Sequence, residues 1–303
     1  MLHVTTGMRT LIGGVDGAAH VWSDDRLSYP WAPHDGVDPP LVGASAELLL
    51  ASLDQLGVDG AVCVQTRAYG YDHAYLAKVA QMYPSRISAV CLVNPVRPSA
   101  PNELRRLAKE GFRGLRLIPL AQTDTCWLQG LESDGVFKVA ADLGMPVSLL
   151  ARSDQLTSVV VRARRSPEVT IVVDHLGLVD SSSQQLSLEL LRSCALERNI
   201  VLKISALSEL SHQDWPYADV LSIVSPALEM FGPDRVVFGT DWPHCLNRGK
   251  HAGDWNALIE GLDLDPNDHS GLFGENAKRI WPFAPTPESR TSKKSKDDER
   301  MRR

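Results

Sequence analysis

Between Leu11 and Trp242 the sequence repeats one theme, a short β-branched apolar run followed by a longer stretch with helical spacing. Eight such runs occur: LIGGVDGAAH (11–20), GAVCVQ (60–65), ISAVCLVNP (87–95), RGLRLIPL (113–120), PVSLLA (146–151), VTIVVDH (169–175), IVLKISAL (200–207) and RVVFGTDW (235–242). Their near-continuous apolar character is what strands covered on both faces require, and the helical stretches between them make the strands parallel. The helical segments include SAELLLASLDQLG, with Ser45 as N-cap, and DGVFKVAADLG, and several end on Gly or Pro as helices do. Eight strands alternating with helices predict an α/β fold, a (β/α)8 TIM-type barrel in a single domain over residues 1–283. A doubly wound open sheet is the alternative, and no GxGxxG follows an early strand to support it.

Composition narrows the partners. Hydrophobic residues at 44% and charged residues at 22% describe a globular protein, and no apolar run is long enough to span a membrane. The first residues lack the apolar core of a secretory signal, so a cytoplasmic location is expected. The five cysteines form no CxxC pair, which fits reduced thiols; Cys63 and Cys91 sit in apolar runs as inert thiols, and Cys245 has no base assigned to it. The last twenty residues, 284–303, carry seven Lys or Arg against four Asp or Glu without apolar periodicity and read as a disordered charged tail. The body keeps 24 basic and 33 acidic residues, which argues against a nucleic-acid partner; a homo-oligomer is compatible with this composition.

In a barrel of this kind the active site gathers at the carboxyl ends of the strands. Those ends offer His20, Gln65, Asn94, Arg116, Leu150 with Arg152, His175, Lys203 with Ser205, and Asp241 with His244. The strand starts are bland by comparison. Asp241 can take a proton from water, and Arg116 suits a bidentate grip on a carboxylate. His175, as neutral imidazole, can orient water or donate to a developing oxyanion, and His20 has similar roles open to it. Gln65, Tyr75, Trp127, Lys203 and His244 are candidates for shaping the substrate pocket. Asp174, next to His175, is expected to point the other way as a structural residue, and Arg113 to face solvent or a salt bridge.

The stretches VDGAAHVW, VQTRAYGYDHAYL, GFRGLRL, VDHLG, LKISAL, FGPDRVVFGTDWPH and GENAKRIW, in this order, resemble the amidohydrolase-related family, in its lactonase branch. The resemblance covers residues 15 to about 283 and implies a distorted (β/α)8 barrel. Where that family reads Asp-x-His-x-His at the first strand end, this chain has Asp16, Ala18 and His20. Metal-dependent relatives also carry a histidine at the end of strand five, where Leu150 stands here. His20, His175 and Asp241 then remain, a set expected to hold a divalent ion poorly. The resemblance therefore implies a hydrolase that opens a lactone or related carboxyl ester of a small carboxylate-bearing substrate, with no cofactor and no metal. In that reading Asp241, His175 and His20 are catalytic, and Arg116, Gln65, Tyr75, Lys203 and His244 bind substrate. A metal-dependent decarboxylase or hydrolase, and a lyase or non-hydrolytic binder of small acids, are the alternatives.

Overall fold

The computed structural model describes residues 13–33, 37–38, 40, 42–119, 126–247, 251–262, 264–265 and 267–285. Eight parallel strands follow one another around a single sheet: β1 (Gly14–Ala19), β2 (Val58–Val64), β3 (Ile87–Leu92), β4 (Gly114–Leu117), β5 (Val147–Leu149), β6 (Ile171–Val173), β7 (Ile200–Ile204) and β8 (Val236–Phe238). Each pairs with its sequence neighbours, so the sheet curls into the expected barrel. Helices fill the connections. The first, Ala46–Leu56, starts where Ser45 accepts from Leu48 N and stops at Gly57, as its sequence predicts. Among the described residues no helix is long and apolar enough to cross a membrane.

Side-chain parity follows the pleat. Val15, Val62, Val64, Val90, Val172, Val201 and Val237 point inward and pack on Ala277, Ile280 and Trp281 from the last helix, Asn276–Ile280, and the residue after it. Neighbours such as Ala61, Cys63, Leu115, Val173 and Leu202 point outward into the layer between sheet and helices. The valine interior and Trp281 fill the barrel toward its floor, and the cavity lined by the strand-end residues lies at the opposite end.

The barrel closes at a seam between β1 and β8. A Cβ on Gly239 would lie 2.4 Å from the Ala18 nitrogen, and one on Gly17 would lie 2.5 Å from the Phe238 carbonyl oxygen, so only glycine permits this approach. Asp16 stitches the seam by accepting from the amides of Ala18 (3.1 Å) and Thr240 (2.9 Å) and from the Thr240 hydroxyl. Asp241 N then donates to Ala18 O at 2.8 Å, and His20 N to Trp242 O at 2.7 Å.

The strands are shorter at their carboxyl ends than the apolar runs suggest. After β6 the backbone turns left-handed at His175, Leu176, Gly177 and Leu178 (φ 52°, 54°, 67° and 46°), and Ala206 and Asp241 do the same after β7 and β8. Such conformations cost about 1 kcal/mol or more per non-glycine residue and collect where function demands a particular side-chain direction. Two further helical segments, His251–Gly261 and Gly271–Glu275, were not expected from the sequence. At the far end Ala284 N donates to Pro84 O at 2.9 Å, and the expected tail beyond Pro285 lies outside the described residues.

Candidate active site

A cavity of about 710 Å³ opens at the carboxyl ends of the strands, and His20, Arg116, His175, Asp241 and His244 all line it. Asp241 is its centre. His20 Nε2 lies 3.1 Å from Asp241 Oδ1, and His175 Nε2 lies 3.9 Å from the same oxygen. Burial alone would raise the Asp241 carboxyl, but the imidazoles of His175, His20 and His244 outweigh it and hold the group well below the usual carboxylate range. Asp241 is therefore a carboxylate at any working pH.

The histidines differ in their hydrogen-bond partners. Burial pushes His175 down to about 4, so it is neutral at pH 7. Its Nε2 accepts from the Arg116 guanidinium at 3.4 Å, which leaves the proton on Nδ1, 2.8 Å from Ser205 Oγ. The unprotonated Nε2 cannot donate to an oxyanion, and it can take a hydrogen bond from water only in place of its long contact with Arg116, so only the first of the two roles expected for His175 is open. His20 Nδ1 lies 2.8 Å from Val64 O, which can only accept. Both of its nitrogens thus face acceptors, Val64 O on one edge and the Asp241 carboxylate on the other.

Below the cavity runs a buried charge chain. Arg116 Nε lies 3.2 Å from Asp174 Oδ2, and Lys203 Nζ lies 2.9 Å from Asp174 Oδ1. The two cations outweigh burial and keep Asp174 ionised. Asp174 shares the inward face of β6 with Val172, so it does not point away as expected; the left-handed turn brings His175 to the mouth beside it.

Three residues expected to bind substrate are committed elsewhere and do not line the cavity. Gln65 shares the outward parity of Cys63, and its amide donates to the carbonyls of Gly70 and Asp72. Tyr75 lies on the helix Ala74–Met82, where its hydroxyl accepts from Ala46 N at 3.1 Å. Lys203 is 1% exposed, holds Asp174 and sits 4.9 Å from the Trp281 ring, one layer beneath the mouth. Trp127 is buried outside the cavity lining, and Asn94 and Arg152 engage Val96 and Asp154. Thr66, Arg67, Glu209 and Asn247 do line it and were not foreseen. Cys245 is buried and its thiol is pushed up by burial, so it is no nucleophile.

Three donors at the mouth suit a divalent ion. His20, Asp241 and His244 each offer one ligand atom, and these atoms lie within 4.8 Å of one another. Two imidazoles and a carboxylate with an open fourth position form a set that catalytic zinc sites use, and a ligating histidine commonly binds a backbone carbonyl through its other nitrogen. The residues fit. His244 takes the place expected for His175, whose Nε2 faces Arg116 instead.

A closed (β/α)8 barrel with imidazoles and an aspartate at its mouth is an enzyme scaffold with an acid–base site. The chain matches the amidohydrolase family over residues 15–283 and belongs to it. It is 26% identical over 234 residues to the 4-sulfomuconolactone hydrolase of Rhizobium radiobacter, covering 77% of this chain and 76% of that one. With the L-fucono-1,5-lactonase of Burkholderia ambifaria it shares 27% over 285 residues, 88% of this chain and 94% of the other. Among solved structures, a Pseudomonas putida protein provisionally named a 2-pyrone-4,6-dicarboxylic acid hydrolase superposes with a TM-score of 0.77 at 22% identity, over 91% of this chain and 99% of that one.

Proposed function

We propose that this chain hydrolyses a lactone or related carboxyl ester of a small carboxylate-bearing substrate, with Asp241 activating water and no metal taking part. The observation that carries the reading is the ionised Asp241 carboxylate set beside an unprotonated His175 nitrogen and the Arg116 guanidinium in one cavity. The names of the two sequence relatives, both hydrolases of lactones, support the substrate class.

Once a substrate carboxylate draws the Arg116 guanidinium off His175 Nε2, the 3.9 Å gap between that nitrogen and Asp241 Oδ1 suits a water that donates one hydrogen bond to each. Free Asp241 is a weak base. A substrate carboxylate on Arg116 expels water and brings negative charge near, and both effects raise its basicity. Water then attacks the ring carbonyl carbon while its proton passes to Asp241. Collapse of the tetrahedral adduct breaks the ring C–O bond, and the leaving oxygen takes the proton back from Asp241.

A second reading is favoured by one observation, the clustering of His20, Asp241 and His244 donor atoms. Those three would hold a divalent ion, which supplies Lewis-acid polarisation and a more acidic water when bound. A lactone and ester screen on the purified protein before and after chelation, with elemental analysis, separates the two. The first reading expects turnover that survives chelation and well under one equivalent of zinc, manganese or iron. Turnover lost on chelation and restored by zinc or manganese replaces it with the second, and no turnover of any lactone or ester removes the hydrolase reading.

A further inference from the structure

The lining of the cavity changes character with depth and side. Apart from the acid–base groups and Thr66, the buried lining is apolar, from Ala68, Leu150 and Ala206. Half-buried Leu178 and Leu210 extend it outward, with half-buried Arg67 as the charged residue at that depth, whereas Asp38, Glu209 and Asn247 are exposed at the rim. Leu150 does not merge with the main core. It forms a separate cluster with Leu92 and Ile118, against which Tyr71 and Leu178 pack. Leu178 itself holds φ 46°, a left-handed conformation that suits Asn or Gly and that a leucine adopts only at a cost. The same left-handed turn that brings His175 to the mouth thus sets Leu178 on the apolar cluster there, outside the main core.

Resting on the proposed lactone or ester chemistry for where the reaction occurs, we infer that the site selects a substrate whose body is hydrocarbon, alkyl or unsaturated, and not a polyol. A polyhydroxylated ring seated between Asp241 and the Leu150 wall would bury hydroxyls against side chains that offer neither donor nor acceptor. Burying a hydroxyl without a partner is unfavourable in proteins, while each buried methylene contributes in the other direction. Thr66, the buried polar group outside the acid–base set, accepts from Ala68 N through its hydroxyl and keeps one O–H donor, too few for the several hydroxyls of a polyol. The Arg116 guanidinium supplies the carboxylate contact, so the ligand class is an amphipathic small acid.

Cyclohexanecarboxylate and quinate test this, because they share a six-membered ring and a carboxylate and differ in four hydroxyls, and neither can be hydrolysed. Calorimetric titration of the full chain should give a dissociation constant at least tenfold lower for cyclohexanecarboxylate. Leu178→Asn keeps a residue suited to the left-handed turn, so it should fold normally and weaken cyclohexanecarboxylate by about fivefold or more while sparing quinate. Leu150→Asn, checked by circular dichroism, should do the same. Equal or tighter binding of quinate, failure of both acids to bind, or indifference of cyclohexanecarboxylate to the Leu178 change overturns the inference. The binding preference does not depend on turnover: kept in a protein that hydrolyses no lactone, it leaves this inference standing and removes only the hydrolase reading.

Discussion

Around the mouth cavity the wall made by β1 and β8 differs from the wall made by β3 to β6. On the first, Asp16, Thr240, His20 and Asp241 are tied by short directional bonds that leave little freedom to shift. On the second, Leu92, Ile118, Leu150 and Leu178 meet through non-directional apolar contact. Hydrogen bonds fix atoms to a fraction of an ångström, as proton transfer needs, whereas an apolar wall selects by shape and tolerates drift. The barrel thus keeps the hydrogen-bonded His20–Asp241 pair on one wall and the apolar surface on the other, with Arg116 and His175 reaching the cavity from the second wall.

That division can be broken most sharply at Asp241. Asp241→Asn keeps the shape of the polar wall but cannot accept the proton, so kcat on a confirmed substrate should fall by about 10²-fold or more with little change in KM. Steady-state kinetics on both proteins checks it, and near-normal kcat in the variant transfers the base role to another group of the wall. A smaller effect is expected one step back in the seam. Asp16→Ala strands three donors of Ala18 and Thr240, and should lower stability by about 3 kcal/mol in denaturant titration and reduce kcat through the displaced His20–Asp241 pair. If kcat is untouched while stability falls, the seam holds the barrel but does not set the reacting geometry.

The smallest effect concerns Asp254, buried behind the polar wall. Burial, with the nearby carboxylates of Asp16, Asp241 and Glu209, pushes it up to about 8 from an ordinary value of 3.8. The folded state therefore binds the proton more tightly than the unfolded chain. Stability from this group is full below about 3.8 and is lost as pH rises through about 8. Asp254→Asn should melt higher than the parent at pH 9 and nearly level with it at pH 5. Parallel melting curves at both pH values check the sign.

The strands were legible because a barrel wall buries both faces of each strand and so demands apolar runs, and the helix from Ala46 to Leu56 because Ser45 and Gly57 mark its ends. Placement of His20, Arg116, His175, Asp241 and His244 at one mouth followed from where those runs stop. Side-chain direction at the stops was less legible. Counting the pleat from Val62 and Val64 would have sent Gln65 outward and Thr66 inward. No such count works for Asp174 and His175, because the left-handed turn puts two successive residues on the same side, and nothing in VDHLG beyond its glycine announces that turn. Lys203 illustrates a third limit: parity is right, but depth along the axis depends on how far Trp281 rises from the floor.

The seam also has a bearing on how the molecule acquires activity. His20 and Asp241 are 221 residues apart, so their contact is among the most non-local in the chain. Closing so long a loop is entropically slow and is rewarded only when β8 meets β1. Partial barrels that contain the strands from β1 to β7 can bury apolar surface yet hold no reacting pair. During synthesis the chain therefore stays chemically silent until its last strand arrives, and the appearance of turnover would serve as a clock for ring closure.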